Sequence, residues 1–175
     1  MTKNDRATVE KAGFRIFRGD EAPPLLIADY QGMTPAIAEG LARLNQAGLA
    51  EGADVRTVFE IPGFSLTYAW LKSDFPLPLH SHQGDCLYYI TGGSLALGTE
   101  QLHKGDGFFV PANTPYTYRS GPQGVEVLEF RHHGCHDINI RAKTAAYWDK
   151  TFNDMGMLVP RWRSEKRPKS LEPAS

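Results

Sequence analysis

The chain has few cysteines, no long apolar run and no excess of either charge. Two cysteines in 175 residues are too few for a disulfide framework, so the expected setting is a reducing cytoplasm. No apolar stretch approaches the ~20 residues of a bilayer helix. The opening MTKNDRATVEKAGF carries no signal-peptide core, and no membrane partner is expected. A formal net charge of −1 supplies no field that favours nucleic acid. Several catalytic signatures are missing as well: G-x-G-x-x-G after a strand, the phosphate-binding G-x4-G-K-[ST], H-E-x-x-H and G-x-S-x-G.

Turn formers, in contrast, are plentiful. Seventeen glycines and twelve prolines are spread along the chain and favour many short strands. Residues 1–13 read as an arm, and "FRIF" from Phe14 to Phe17 as a short strand. Thr34 to Gly48 reads as a helix, with Thr34 as N-cap, Pro35 in the first turn, and Ile37, Leu41 and Leu44 on one stripe. From Val55 the period falls to two. "VRTVFEI", "FSLTYAWLK", "CLYYIT", "SLALG", "EQLHKG", "GFFVP", "YTYRS" and "VEVLEFRHH" follow one another between Gly, Pro, Asn and Asp, the pattern of a sandwich or barrel. A helical period returns from Ala142 to Met155, with Trp148, Phe152 and Met155 on one face and Gly156 beyond. The basic "RWRSEKRPKS" reads as a frayed, solvated end.

"PLHSHQGDCLYYITGG", Pro78 to Gly93, carries the chemistry. On a strand, His80 and His82 leave the same face. Past the Gln83-Gly84-Asp85 turn, Cys86, Tyr88 and Ile90 share a face. Two histidines suit zinc, iron, copper or nickel, and a catalytic ion needs a third protein ligand. Cys86 as thiolate and Asp85, if the turn rotates it inward, both qualify. The plain alternative is a histidine pair bonded to tyrosines and water, with Cys86 as a small hydrophobe.

Two segments together resemble the paired motifs of the cupin superfamily. His80, His82 and Gly93 match the first motif, G-x5-H-x-H-x3-E-x6-G, with Asp74 in place of its first glycine and Cys86 in place of its glutamate. Gly105 and Pro111 match the second, G-x5-P-x-G-x2-H-x3-N, with Asn113, Tyr116 and Ser120 departing from it. The resemblance implies an all-β, double-stranded β-helix (jelly-roll) barrel over residues 54–141. An N-terminal arm and helix (1–53) and a C-terminal helix and tail (142–175) would complete one domain. It makes the His80 face the barrel interior, with Tyr116 and Tyr118 pointing there, and Tyr116 could then ligate iron as phenolate or only hydrogen-bond a ligand.

The expected site therefore has His80, His82 and Cys86 as ligands of a divalent transition metal (iron, zinc, manganese or nickel). Tyr88 and Tyr116 are its acid/base or anchoring groups, and Asp85, Tyr118 and His132 line the pocket. In "VLEFRHHGCHD", strand parity admits Glu129 and Arg131 as well as Leu128 and Phe130 as interior residues. The cluster His132, His133, Cys135 and His136 lacks zinc-finger spacing. The expected function is a small metal-dependent enzyme of dioxygenase, isomerase or lyase type acting on a small organic molecule. A non-catalytic metabolite-binding barrel and metal-free acid/base catalysis by His, Tyr and Cys86 are the alternatives. Cupins commonly pair through sheet edges, and Phe14 to Ile27, apolar and broken by proline, suits a homodimer edge.

Overall fold

Thr34 begins the first helix as its sequence predicts. Its side chain accepts from the Ile37 amide at 3.3 Å, and Pro35 fills the first turn of α1 (Pro35–Gln46). The computed structural model describes residues 9–11, 14–27, 29–134, 136–142 and 144–167. Ile37, Gly40 and Leu44 are the buried face of α1, and Gly40 lets the Trp148 ring close on the helix. Gly48 turns the chain with a φ of 99°.

The strands are β1 (Val9–Lys11), β2 (Phe14–Ile16), β3 (Asp29–Gln31), β4 (Ala53–Ile61), β5 (Phe64–Leu71), β6 (His80–Ser81), β7 (Cys86–Leu97), β8 (Glu100–His103), β9 (Gly107–Val110), β10 (Arg119–Arg131) and β11 (Asp137–Ile140). One sheet runs β4-β5-β10-β7-β8, with β9 also on β7, and all its pairs are antiparallel. The other runs β3-β11-β6, with β11 parallel to β3 and antiparallel to β6. His80 bridges to Tyr116, its amide and carbonyl bonded to the Tyr116 carbonyl and amide at 3.0 and 2.9 Å. These strands make the expected jelly roll. Its core holds Ile90, Leu95, Val125 and Val127 from the large sheet and Ile140 from the small one.

Two details differ from the sequence reading near the barrel's lower end. The second helix, α2 (Ala145–Ser164), starts three residues later than expected, runs through Gly156 and contains Pro160. Trp162 explains the extension. It is fully buried, its ring N–H donates to the Ser73 carbonyl at 2.8 Å, and Lys72 reaches the Trp162 carbonyl at 2.7 Å. This packing outweighs the local helix-breaking preferences. Arg161 bonds Asp74, Glu165 bonds Ser73, and Arg167 pairs with Asp54, so the chain as far as 167 is anchored rather than frayed. Residues 168–175 lie outside the described residues. Phe152 is exposed beneath the Arg43 guanidinium, and Thr151, Leu158 and Val159 join Trp148 and Met155 on the buried face.

Pro23 and Leu25 bond to the free edge of β4. The Leu25 amide donates to Val55 at 2.8 Å, and Thr57 donates to the Pro23 carbonyl at 3.0 Å. The proline-broken segment thus covers an edge of its own chain.

Candidate functional site

Strand alternation builds the interior. On β7, Cys86, Tyr88 and Ile90 point in, while Leu87 and Tyr89 are 49% and 47% exposed. β10 pairs Glu129 with Tyr88 and Arg131 with Cys86, so parity selects Glu129 and Arg131 as the interior residues. All of these inward groups are buried, as are His80, His82, Tyr116, Tyr118 and Asp137.

The polar groups form one continuous chain. Tyr116 and Tyr88 share a hydroxyl–hydroxyl hydrogen bond, and Tyr88 donates to Glu129 Oε1 at 2.6 Å. With the Tyr88 O–H directed at Glu129, the shared bond is donated by Tyr116. Arg131 Nε donates to the same Glu129 oxygen at 2.6 Å, its Nη1 lies 3.3 Å from Asp137 Oδ1, and its Nη2 lies 3.1 Å from His82 Nε2. His82 Nδ1 is 2.8 Å from the Asp137 carbonyl. A carbonyl only accepts and a guanidinium only donates, so the His82 proton is on Nδ1 and its Nε2 lone pair faces Arg131. His80 is arranged alike, with Nδ1 donating to the Pro78 carbonyl at 2.7 Å. Its Nε2 has no hydrogen-bond partner among the described residues. The two imidazoles are 4.9 Å apart, and the Tyr116 ring lies 4.4 Å from His80.

Burial sets the electrostatics. Desolvation, then His82, pulls the His80 imidazole down to about 4. Burial would push the Glu129 carboxyl up, but the Arg131 guanidinium beside it, the nearby His82 and its hydrogen bonds hold it at about 2. Asp137 also lies below the usual range, since bonds from His82 and the Gln83 amide outweigh its burial. Burial and then Glu129 push the phenols of Tyr88 and Tyr116 well up, so both keep their protons. Below them the interior is aromatic. Phe108 stacks on Tyr88 at 4.5 Å, and Tyr118 meets both rings edge-on. Tyr118 also lines a cleft of about 940 Å³ between α2 and the barrel, with Phe75, Tyr147 and Leu158.

His80, His82, Cys86, Tyr88, Tyr116 and Tyr118 are thus brought together, and two expected members are not. Asp85 is one residue out of phase with Cys86, so it is exposed and accepts from the Ala112 amide at 2.8 Å. His132 is one residue out of phase with Arg131 and is exposed. The rest of that cluster disperses. His133 is exposed, Cys135 lies outside the described residues, and His136 bonds Glu60 and the Leu26 carbonyl, which together raise its imidazole.

The metal expectation fails on fit. The inward nitrogen of His82 takes a guanidinium N–H, and the cation itself would repel a divalent ion. The Cys86 thiol donates to the Gly84 carbonyl at 3.5 Å, and burial and then Glu129 push it up. Among the described residues no group of three His, Cys, Asp or Glu side chains is placed to hold an ion. Asp137 and Phe108 escaped the sequence reading. Asp137 follows a turn that resets strand phase, and Phe108 has no chemical signature.

No protein-family model matches the chain, and no curated protein matches its sequence. Solved structures do. The polyketide cyclase RemF from Streptomyces resistomycificus superposes with a TM-score of 0.56 at 14% identity, over 79% of this chain and 92% of that one. An RmlC-like cupin from Shewanella frigidimarina gives 0.46 at 15% identity over 71% and 92%, and KdgF from a Halomonas species gives 0.41 at 19% over 47% and 82%. Likeness at such identities is one of fold. Among the described residues, no helix is long and apolar enough to cross a membrane.

Proposed function

From a chain with the cupin fold, we propose a barrel that binds a small organic molecule and moves a proton on it. The observation that carries this reading is His80. It is an uncharged, buried base whose Nε2 lone pair has no partner among the described residues, beside a phenol pair that keeps its protons. His80 takes a proton from a carbon next to a carbonyl. Tyr116 turns its O–H from Tyr88 to the developing oxyanion. Return of the proton to a different carbon completes an isomerisation, and loss of a leaving group instead gives a lyase. Tyr88 and Glu129 hold Tyr116 in place, and Arg131 keeps Glu129 ionised. In this reading the ligand enters beside Tyr118, which packs against Tyr88 and Phe108 and also lines the cleft below α2. The RemF likeness is of fold, and the substrate class does not rest on it.

A non-catalytic metabolite-binding barrel is the second reading, favoured by the closure of the interior, where His80, His82, Tyr88 and Tyr116 are all nearly inaccessible. Deuterium uptake from D2O into a panel of small enolisable ketones separates the two. The catalytic reading expects uptake that His80→Gln abolishes while ligand-induced thermal shifts remain. Uptake equal in the variant would overturn it, and thermal shifts with no uptake in the wild type would establish the second reading. For either we propose a homodimer, formed over the exposed apolar side chains of Phe14, Ile16, Leu87 and Phe109.

A further inference from the structure

Both inward histidines are set up as ligands. In each, Nδ1 donates to a backbone carbonyl, Pro78 for His80 and Asp137 for His82. That outer bond fixes the ring and turns the Nε2 lone pair inward, as the second shell of a metal-binding histidine does. A carboxylate stands opposite, with Glu129 Oε1 3.9 Å from His82 Nε2. Two atoms on one ion with bonds of about 2.1 Å lie roughly 3–3.5 Å apart, so this pair is slightly splayed. What splays it is Arg131, whose Nε is 2.6 Å from the oxygen and whose Nη2 is 3.1 Å from the nitrogen.

We propose that the Arg131 guanidinium is the resident cation of this barrel. It stands between His82 and Glu129, and with it there His80, His82 and Glu129 are not placed to hold an ion; they close into a ligand set only when it is removed. The carboxylates of Glu129 and Asp137 both turn to Arg131, so the charge an ion would bring is already supplied by a side chain. The guanidinium also supplies N–H donors that an ion lacks, and these hold His82 as an acceptor and Glu129 as a hinge between Arg131 and Tyr88. The latent third ligand is Glu129 of β10 and not Cys86, which stands where the first motif carries its glutamate. The inference holds whether the pocket catalyses or only binds.

The test is Co²⁺ binding by the full chain after chelation, read by equilibrium dialysis and by the visible d–d bands of histidine-bound cobalt. Wild type and Arg131→Lys should take up no ion that His80→Ala removes, a control that separates the barrel from the exposed His103, His132 and His133. Arg131→Ala should take up stoichiometric Co²⁺ and lose it again when His80→Ala is added. It should also melt well below wild type when stripped and recover most of that loss with Co²⁺, while wild type does not shift. Should Arg131→Ala not fold, Arg131→Gln, which keeps donors and drops the charge, carries the same comparison. Stoichiometric Co²⁺ on wild type that His80→Ala abolishes would overturn the proposal, as would a folded charge-deleted variant that binds none.

Discussion

Replacing Glu129 with glutamine removes one negative charge from beside Arg131 and keeps the shape of the side chain. A single oxygen of Glu129 accepts from both Arg131 and Tyr88, and a glutamine oxygen can accept the same two bonds. What changes is the charge, and the carboxyl's own titration measures it. Burial would raise that group, but Arg131, His82 and the hydrogen bonds bring it from the usual 4.5 to about 2. A fall of that size corresponds to about 3 kcal/mol of stability at neutral pH. Breaking a buried ion pair on one side costs roughly 3–5 kcal/mol. Asp137, 3.3 Å from Arg131 Nη1, still faces the guanidinium and softens the loss. The expected cost is about 2–3 kcal/mol, or a Tm lower by about 4–12 °C in a chain of this size.

The pH dependence has a definite sign. The folded carboxyl titrates below the unfolded one, so its stabilisation is complete above 4.5 and drains away as pH falls toward about 2. His80 acts earlier in the descent. Its folded value of about 4 lies below the usual 6.5, so the unfolded chain takes the proton first and stability falls between those two values. Both proteins contain His80, and since the Glu129 charge holds its imidazole up, the variant loses slightly more there. Denaturant titrations of wild type and Glu129→Gln should therefore stay apart from pH 7 through the His80 window and converge only below about pH 4.5. A gap under about 0.5 kcal/mol at pH 7, or one that persists unchanged to about pH 2.5, would refute the account of Arg131 and Glu129 as a paired buried charge.

The packing and thiol chemistry give two more tests. Gly40→Ala should destabilise by up to about 2 kcal/mol in denaturant titrations, because the new Cβ would lie 2.3 Å from Trp148 Cδ2. Overpacking at about 1–3 kcal/mol exceeds the ~1 kcal/mol of helix propensity gained; a stabilised variant would contradict that contact. In a Cys135→Ser background, Cys86 should react with a disulfide reagent orders of magnitude more slowly in the folded chain than in denaturant. It is 1% exposed, and burial and then Glu129 push its thiol up; fast native labelling would show that the interior opens readily.

Much of the frame is legible from residue types. Thr34, Pro35 and Gly48 mark α1 because capping and left-handed turns need those side chains. The alternation of Cys86, Tyr88 and Ile90 with Leu87 and Tyr89 marks the inward face of β7. Asp74 and Asn113, the two departures at motif glycines, both hold positive φ, a conformation these short polar residues tolerate. So both residues take up a backbone conformation that a glycine would adopt without strain. The end of α2 is not legible in this way, because Gly156 and Pro160 are local signals and Trp162 answers to Ser73, far away in sequence. Nor is the parity of β10 beyond doubt from the string alone. A bulge falls between Glu126 and Val127, and an irregularity of one residue exchanges the inward and outward sets of a strand.

The chemistry of the site fails to be legible for a related reason. The spacing of His80 and His82 places two imidazoles on one face whatever lies between them and the opposite wall. An ion and a guanidinium both call for inward Nε2 lone pairs, Nδ1 bonds to backbone carbonyls and a carboxylate in reach. The residue that decides between them, Arg131, is 49 positions from His82 in sequence and reads, in "EFRHHGCHD", as the polar end of a strand. Only the register of β10 on β7, with Glu129 beside Tyr88 and Arg131 beside Cys86, carries the positive charge into the barrel. Beside it Cys86 is buried, and its thiol donates to the Gly84 carbonyl. His82 Nε2 accepts from Arg131 at 3.1 Å, and His80 Nε2 has no hydrogen-bond partner among the described residues.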